Sequence, residues 1–362
     1  MTIEPFTYTP LAIKICFGNG RFSELEQIVS SYSANRILIL STNSDRAKDL
    51  AKKAGGQLEN KVVGYFDECL EQVPVDNAKK VQSLAERLAV DCVVCIGGGS
   101  TIGHGKAVAL KRNITLIHIV TTYSGSEMTI SQGFQEGGIK RHTHDARMQA
   151  NCVIYDPVLT TSLPPWVSGP SGMNAMAHCV EALYGEYANP VSDLLAASGI
   201  RALADALPKV VQNPDDLAAR GDALYGAYMS GLSLSAGMAL HHQVAHVLGG
   251  SFGVPHAIAH TLALPHTIAY NREAVPSAMA KLMAALRSED GPLGLYDLAR
   301  NLNINMKLQD HGFTAENIDR AVNLILENPK NNPRALNSTA IREMFVDMVE
   351  GRPPKMADER RY

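Results

Sequence analysis

No uninterrupted apolar run of about 18 residues occurs in the chain, so a bilayer-spanning helix is not expected. The opening MTIEPFTYTP shows scattered polar residues rather than the charged, apolar and small-residue order of a secretory leader. An excess of either charge is also missing. Lys+Arg number 33 against 36 Asp+Glu, giving a formal net charge of -3 and a pI near 6.5. Neither nucleic acid nor a membrane is therefore expected as a partner, although local basic patches could still hold small anions. The cysteines (Cys16, Cys69, Cys92, Cys95, Cys152 and Cys179) lack the paired spacings of a zinc ribbon. Their one CxxC sits inside DCVVCIGGG, where strand residues three apart face opposite ways, which suits buried thiols rather than shared ligation or redox work. Repeats and low-complexity segments are absent too. What remains is the expectation of a soluble, cytoplasmic protein.

In 362 residues, 46% hydrophobic and 19% charged, the composition is that of a globular protein with two domains. Short β-branched runs predict strands at KICF (14–17), RILILS (36–41), KVVGYF (61–66), DCVVCI (91–96) and TLIHIV (115–120). Helical spacing fills the intervals near 21–32, 44–54 and 75–90 and within GKAVAL. This alternation predicts a mostly parallel sheet covered by helices. Residues 120–150 are irregular and polar, with a hairpin expected before NCVIYD (151–156). After TSLPPW the texture turns to Ala, Leu and Met at helical spacing, with a further helix over 314–326. The expected boundary is near 160: an α/β dinucleotide-binding domain with a parallel sheet over 1–160, and an all-helical substrate and catalytic domain over 161–362.

IGGGSTIGHGKAVAL places three glycines between a strand and a helix. Backbone N–H groups at a helix start, together with the helix dipole, suit a pyrophosphate. The loop is neither GxGxxG nor a Walker A sequence, so Gly97, Gly98, Gly99 and Ser100 are a cofactor-phosphate candidate by position, with a plain tight turn as the alternative. Ser100 could instead cap the helix. Lys106 could pair with phosphate or stand as a structural lysine. At the end of the second strand Ser41 or Thr42 stands where a carboxylate would favour NAD, which leaves NADPH use open.

Histidines are the richest signal: six of the twelve fall within 241–266. His242 and His246 are four apart, as are His256 and His260, and Asn174 and His178, so each pair shares one helix face. Gly249, Gly250, Gly253 and Pro255 are expected to turn one helix into the next, with His256 near a helix start. His178, His242 and His256 could supply three nitrogens to a metal, though Asn174 is a neutral, weak ligand; equally, they could act as imidazole donors. His241, His260 and His266 are expected to be packing or surface residues.

Taken together, GGGSTIGHGK (97–106), TTYSGSEMT (121–129), NAMAHCVEA (174–182) and HQVAH…PHAIAHTLALPH (242–266) resemble the iron-containing alcohol dehydrogenase family over nearly the whole chain, including NPRALNSTAIREMF. The resemblance puts the family's aspartate ligand on Asn174, its histidine ligands on His178, His242 and His256, and a nearby histidine on His246. Gly103 replaces the family's aspartate after the glycine loop. These departures match the branch that reduces maleylacetate, with a pattern of GGGSxxGxxKA and TTYxGSEMT.

That branch implies NADH or NADPH as cofactor, no obligatory metal, a small dicarboxylate substrate and a homodimer acting in aromatic-compound catabolism. It also implies cofactor contacts from Thr42, Thr121, Thr122 and Ser126. Hydride addition to the carbon–carbon double bond builds charge on the ketone oxygen, and the product is 3-oxoadipate. His178, His242, His256 and His246 are the candidates to stabilise that oxygen and move protons. Tyr123 is a candidate proton donor or substrate contact, and Asn174 a carboxylate contact. Lys140, Arg141, His142 and His144 could receive the carboxylates, or form a solvated basic loop. Two other classes stand beside this one: a metal-dependent alcohol or glycerol-type dehydrogenase, and a non-catalytic nucleotide-binding protein.

Overall fold

The short apolar runs form strands because they are buried on both sides, the condition of a parallel sheet between helices. A computed structural model describes residues 5–137 and 139–355 of the chain. In chain order the elements are β1 (Lys14–Phe17), α1 (Leu25–Ser31), β2 (Ile37–Leu40), α2 (Asp45–Leu58), β3 (Val62–Phe66), α3 (Val75–Arg87), β4 (Cys92–Gly97), α4 (Gly99–Ala109) and β5 (Thr115–Val120). An antiparallel hairpin, β6 (Ser131–Glu136) and β7 (Ile139–His144), precedes β8 (Cys152–Tyr155). Helices follow: α5 (Pro165–Ala182), α6 (Pro190–Gln212), α7 (Leu217–Ser233), α8 (Leu240–Phe252), α9 (His256–Asn271), α10 (Pro276–Leu286), α11 (Gly291–Asn301), α12 (Ile318–Glu327) and α13 (Ser338–Glu350).

Two compact units result, one comprising residues 9–163 and 214–224, the other 5–8, 164–213 and 225–355. The first is the α/β unit. Its sheet has the order β1-β8-β5-β4-β2-β3, every pair parallel. Leu25, Ile28, Leu50 and Leu58 of α1 and α2 pack on one face with Ile39, Val94 and Ile117. Val81 and Ala85 of α3 and Val108 of α4 pack on the other, with Leu38, Val93 and Leu116. Cys92 and Cys95 fall on opposite faces, both buried. From β2 the chain steps outward to β3, then crosses back to β4 on the other side. The switch of direction lies between β2 and β4, and loops diverging there leave a crevice at the strands' carboxyl ends.

Close contact between α4 and β4 fixes that crevice. A Cβ on Gly105 would lie 2.2 Å from Cys95 Sγ and 3.1 Å from Leu116 Cδ1, so only glycine lets the helix lie this near the sheet. At the other edge, buried Asp156 accepts the N–H groups of Gly20 (3.0 Å) and Phe22 (2.9 Å), tying the turn after β1 to the end of β8.

In the helical unit, α5 is buried continuously from Ser168 to Ala182. Glycines again permit close approach: a Cβ on Gly172 would meet Leu207 Cδ2 of α6 at 2.2 Å, and one on Gly199 would meet Cys179 Sγ at 2.6 Å. The helix that carries Asn174 and His178 is thereby locked against its neighbour. Gly249 and Gly250 lie inside α8 rather than breaking it; the break falls at Gly253, in the left-handed region at φ 73°, and at Pro255, directly before α9. Among the described residues no helix is long and apolar enough to cross a membrane.

Gly105→Ala forces a methyl into the α4–β4 contact and is expected to cost about 1–3 kcal/mol of stability. Urea unfolding checks this; an unchanged midpoint would show that the contact yields freely.

Candidate active site

The crevice of the α/β unit is built from backbone. Gly98 precedes α4 as its N-cap, and no side chain caps the first turn. The first N–H groups of α4 are left for water or a ligand, and the helix dipole adds partial positive charge. A Cβ on Gly98 would stand 2.2 Å from Thr122 Oγ1, whereas Gly99 has nothing within 4 Å. An anion can thus approach the backbone closely at Gly99. Thr121 N–H donates to Gly97 O at 3.1 Å, tying the end of β5 to that of β4. Ser100 sits in the first turn of α4, its carbonyl 2.8 Å from His104 Nδ1. Thr42, just past β2, places Oγ1 3.3 Å from Oγ of Ser44, the residue that caps α2. Thr42, Gly97, Gly98, Gly99, Ser100, Thr121 and Thr122 all stand at the carboxyl ends of β2, β4 and β5. Of these, the backbone N–H groups at the start of α4 suit an anion such as a phosphate.

Residues 121–131 are held from beneath by Lys106. This lysine is wholly buried, and Nζ donates to Ser126 O at 2.7 Å, Thr129 Oγ1 at 2.9 Å and Ser131 O at 2.8 Å. It is therefore a strut, not a phosphate partner, and Ser126 meets it through its carbonyl. Burial lowers the Lys106 pKa to about 7, against the pull of Glu127. Glu127 is buried too, accepting from Tyr155 Oη at 2.8 Å and Ser124 Oγ at 3.3 Å; burial raises its carboxyl. Tyr123 occupies a strut's position, in contrast to the substrate-facing one expected. It is fully buried, with its hydroxyl accepting from Arg220 Nη1 at 3.0 Å. Arg220, buried as well, donates to Leu163 O and Pro214 O, each at 2.9 Å.

In the helical unit, α5, α8 and α9 bring the histidines together. His178 Nδ1 lies 2.9 Å from His242 Nε2, the two rings stacked at a centroid distance of 5.0 Å. His242 Nδ1 contacts Glu181 Oε2, and the other carboxylate oxygen accepts the His241 N–H at 2.9 Å. Glu181 thus does two jobs. It meets the uncapped start of α8, and it orients His242. Burial raises the Glu181 carboxyl, while His241 and the backbone N–H groups of 239, 241 and 242 draw it down. With a neutral His242 donating from Nδ1 to the carboxylate, its Nε2 accepts from His178 Nδ1–H. Behind this pair, His241 Nε2 lies 2.9 Å from His260 Nδ1, and His241 Nδ1 lies 3.3 Å from Thr267 Oγ1. His246 and His256 are half-buried, with ring centroids 5.7 Å from His242 and 4.5 Å from His260 respectively.

A cation shared by His178 and His242 would need a lone pair on each facing nitrogen and would displace the proton that now lies between them. Asn174, with a buried Oδ1 that has no hydrogen-bond partner, adds only a neutral amide. Among the described residues no three His, Cys, Asp or Glu side chains are placed to hold a metal ion. A neutral amide in place of a carboxylate weakens this set as a site for a divalent cation.

Of the basic hairpin, Arg141 is exposed and paired with Glu136 at 3.2 Å, and His144 is exposed; the Lys140 side chain lies outside the described residues. Glu181 escaped the sequence reading although its signal was present, three residues beyond His178 and hence on the same helix face. Arg46 and Arg220 carried no such signal.

Residues 12–157 match the iron-containing alcohol dehydrogenase family, and residues 169–349 match the C-terminal region of the Fe-containing alcohol dehydrogenase family. The chain belongs to the iron-containing alcohol dehydrogenase family. Within it, the chain is 42% identical over 353 residues to a maleylacetate reductase of Burkholderia cepacia, covering 97% of this chain and all of that one. Crystal structures of maleylacetate reductases from Agrobacterium tumefaciens and Rhizobium sp. strain MTP-10005 superpose with TM-scores of 0.92 and 0.91. Both are 39% identical, over 97% of this chain and 100% of theirs.

Burial holds His118 and His241 neutral, lowering each to about 3. An unfolded histidine titrates near 6.5, so below that pH the unfolded chain binds more protons than the folded one. This contribution is complete above about pH 6.5 and is lost as pH falls toward 3. His118→Gln is expected to flatten the stability–pH slope between pH 6.5 and 5 by about 1 kcal/mol per pH unit on average. Urea titrations of both proteins across that window test it; parallel slopes would refute it.

Proposed function

We propose that this chain is a maleylacetate reductase, an oxidoreductase that reduces the carbon–carbon double bond of maleylacetate to give 3-oxoadipate in the breakdown of aromatic compounds. One observation carries the reading: a His178–His242 pair, backed by Glu181, stands in place of an anionic metal-ligand set. Similarity to maleylacetate reductases along almost the whole chain supports it. When bound, NADH or NADPH supplies the hydride. The crevice residues Thr42, Gly97, Gly98, Gly99, Ser100, Thr121 and Thr122 hold the dinucleotide, and Ser126 shapes the loop beside it.

The substrate is a conjugated enone with two carboxylates. As the double bond is consumed at the carbon β to the ketone, negative charge gathers on the ketone oxygen. His256 donates to that oxygen, as does His178 through Nε2 when it is protonated and held by His242 at Nδ1; the adjacent carbon then takes a proton from the cluster, with His246 as relay. Glu181 stabilises the positive charge that an imidazole carries while it holds the proton. The Asn174 amide donates to a substrate carboxylate. No metal is obligatory in this scheme. The homodimer and the cytoplasmic setting expected from the sequence belong to the same proposal.

The test follows NADH and NADPH oxidation with maleylacetate, before and after exhaustive chelation. Oxidation that survives chelation is expected. Its absence with both cofactors sinks the assignment, and restoration only by added Fe²⁺ or Zn²⁺ favours a metal-dependent dehydrogenase. His242→Ala is expected to lower kcat about 100-fold or more, and Glu181→Gln about 10-fold or more, with the Kd for NADH within about twofold of wild type. Equal rates in His242→Ala and wild type would remove the histidine from the chemistry.

A further inference from the structure

Arg46 is the second residue of α2 and enters the crevice from the β2 side of the switch point. Its Nη2 lies 3.4 Å from Thr121 Oγ1, beyond the end of β5, and its Nη1 3.4 Å from Leu159 O, beyond β8. β4, whose end leads through Gly97 to Ser100 into α4, lies between β2 and β5, the strands whose ends the side chain joins. Thr121, which it touches, is itself bonded to Gly97 O through its N–H.

Both acceptors are neutral and both contacts stand at the outer limit of hydrogen bonding. Among the described residues Arg46 belongs to no ion pair. It is half-buried, and both burial and the nearby Arg220 guanidinium disfavour its charge. A desolvated cation beside another cation is costly unless an anion joins it. The first turn of α4 contributes no basic side chain, and Lys106 is spent beneath the loop. A dinucleotide's doubly charged pyrophosphate would otherwise face only the partial charge of a helix end.

We propose that Arg46 is a cationic arm for the dinucleotide, laid across the crevice to pair with the pyrophosphate seated on the glycine loop. This rests on the cofactor reading above. The approach of the anion replaces two long neutral contacts by charge-assisted hydrogen bonds, for which the planar guanidinium is suited.

Arg46→Gln tests it through binding. The Kd for NADH and for ADP-ribose, which carries the pyrophosphate without nicotinamide, is expected to rise together about 10- to 100-fold. The KM for maleylacetate at saturating NADH is expected to stay within about twofold. Should the variant fold poorly, phenylglyoxal labelling of the wild-type enzyme serves instead: ADP-ribose is expected to protect Arg46, read by peptide mass spectrometry. Unchanged Kd values, or labelling indifferent to ADP-ribose, overturn the proposal and leave Arg46 a structural strap. A raised KM for maleylacetate with intact ADP-ribose binding also overturns it, by assigning the arginine to a substrate carboxylate. Failure of the wild-type enzyme to bind either NADH or NADPH would instead overturn the cofactor reading, a separate and distinguishable result.

Discussion

Glu181 is the residue on which the histidine cluster depends. It lies on α5, wholly buried, and receives the start of α8 through backbone N–H groups and the His242 ring through Nδ1. A helix start with no side-chain cap of its own needs an acceptor, and a buried carboxylate needs donors. Each solves the other's problem. The consequence is chemical: one contact sets the rotation and tautomer of His242, and through it the hydrogen bond to His178. Neither ring needs a metal to be held in place.

The α/β unit uses buried charge in a parallel way. Lys106 collects two carbonyls and a hydroxyl from residues 126–131, and Glu127 collects two hydroxyls from Tyr155 and Ser124. Irregular backbone in this segment would otherwise leave polar groups unsatisfied under the crevice. Arg220 does the same for the carbonyls of Leu163 and Pro214 while bracing Tyr123. Buried polar side chains thus satisfy the irregular backbone under the crevice, and the glycine backbone above is left to meet a ligand.

Legibility followed periodicity. Strands such as TLIHIV and CVVCIG were visible because burial on both faces demands continuous β-branched runs, and the glycine loop because a strand, three glycines and a helix occur in direct succession. The histidine spacing likewise showed that His242 and His246, His256 and His260, and Asn174 and His178 would each share a helix face. What stayed hidden was everything set by tertiary contact. A sequence does not disclose that Lys106 points inward beneath a loop, or that residues 214–224 return to the α/β unit. Tyr123 and Arg220 are 97 residues apart, and nothing local to either announces the other. Gly249 and Gly250 suggested a break by composition, but packing carries α8 through them to Gly253.

Position 174 shows how far one substitution shifts the balance of charge. With the family's aspartate there, a second carboxylate would lie buried in the cluster that already holds Glu181. Two such charges repel, and at low dielectric they demand a doubly charged partner. Asparagine removes one of them. The Glu181 carboxylate that is left is met by the His242 ring and by backbone N–H groups at the start of α8. The exchange of aspartate for asparagine thus leaves one buried carboxylate in the cluster, answered by donors from α8.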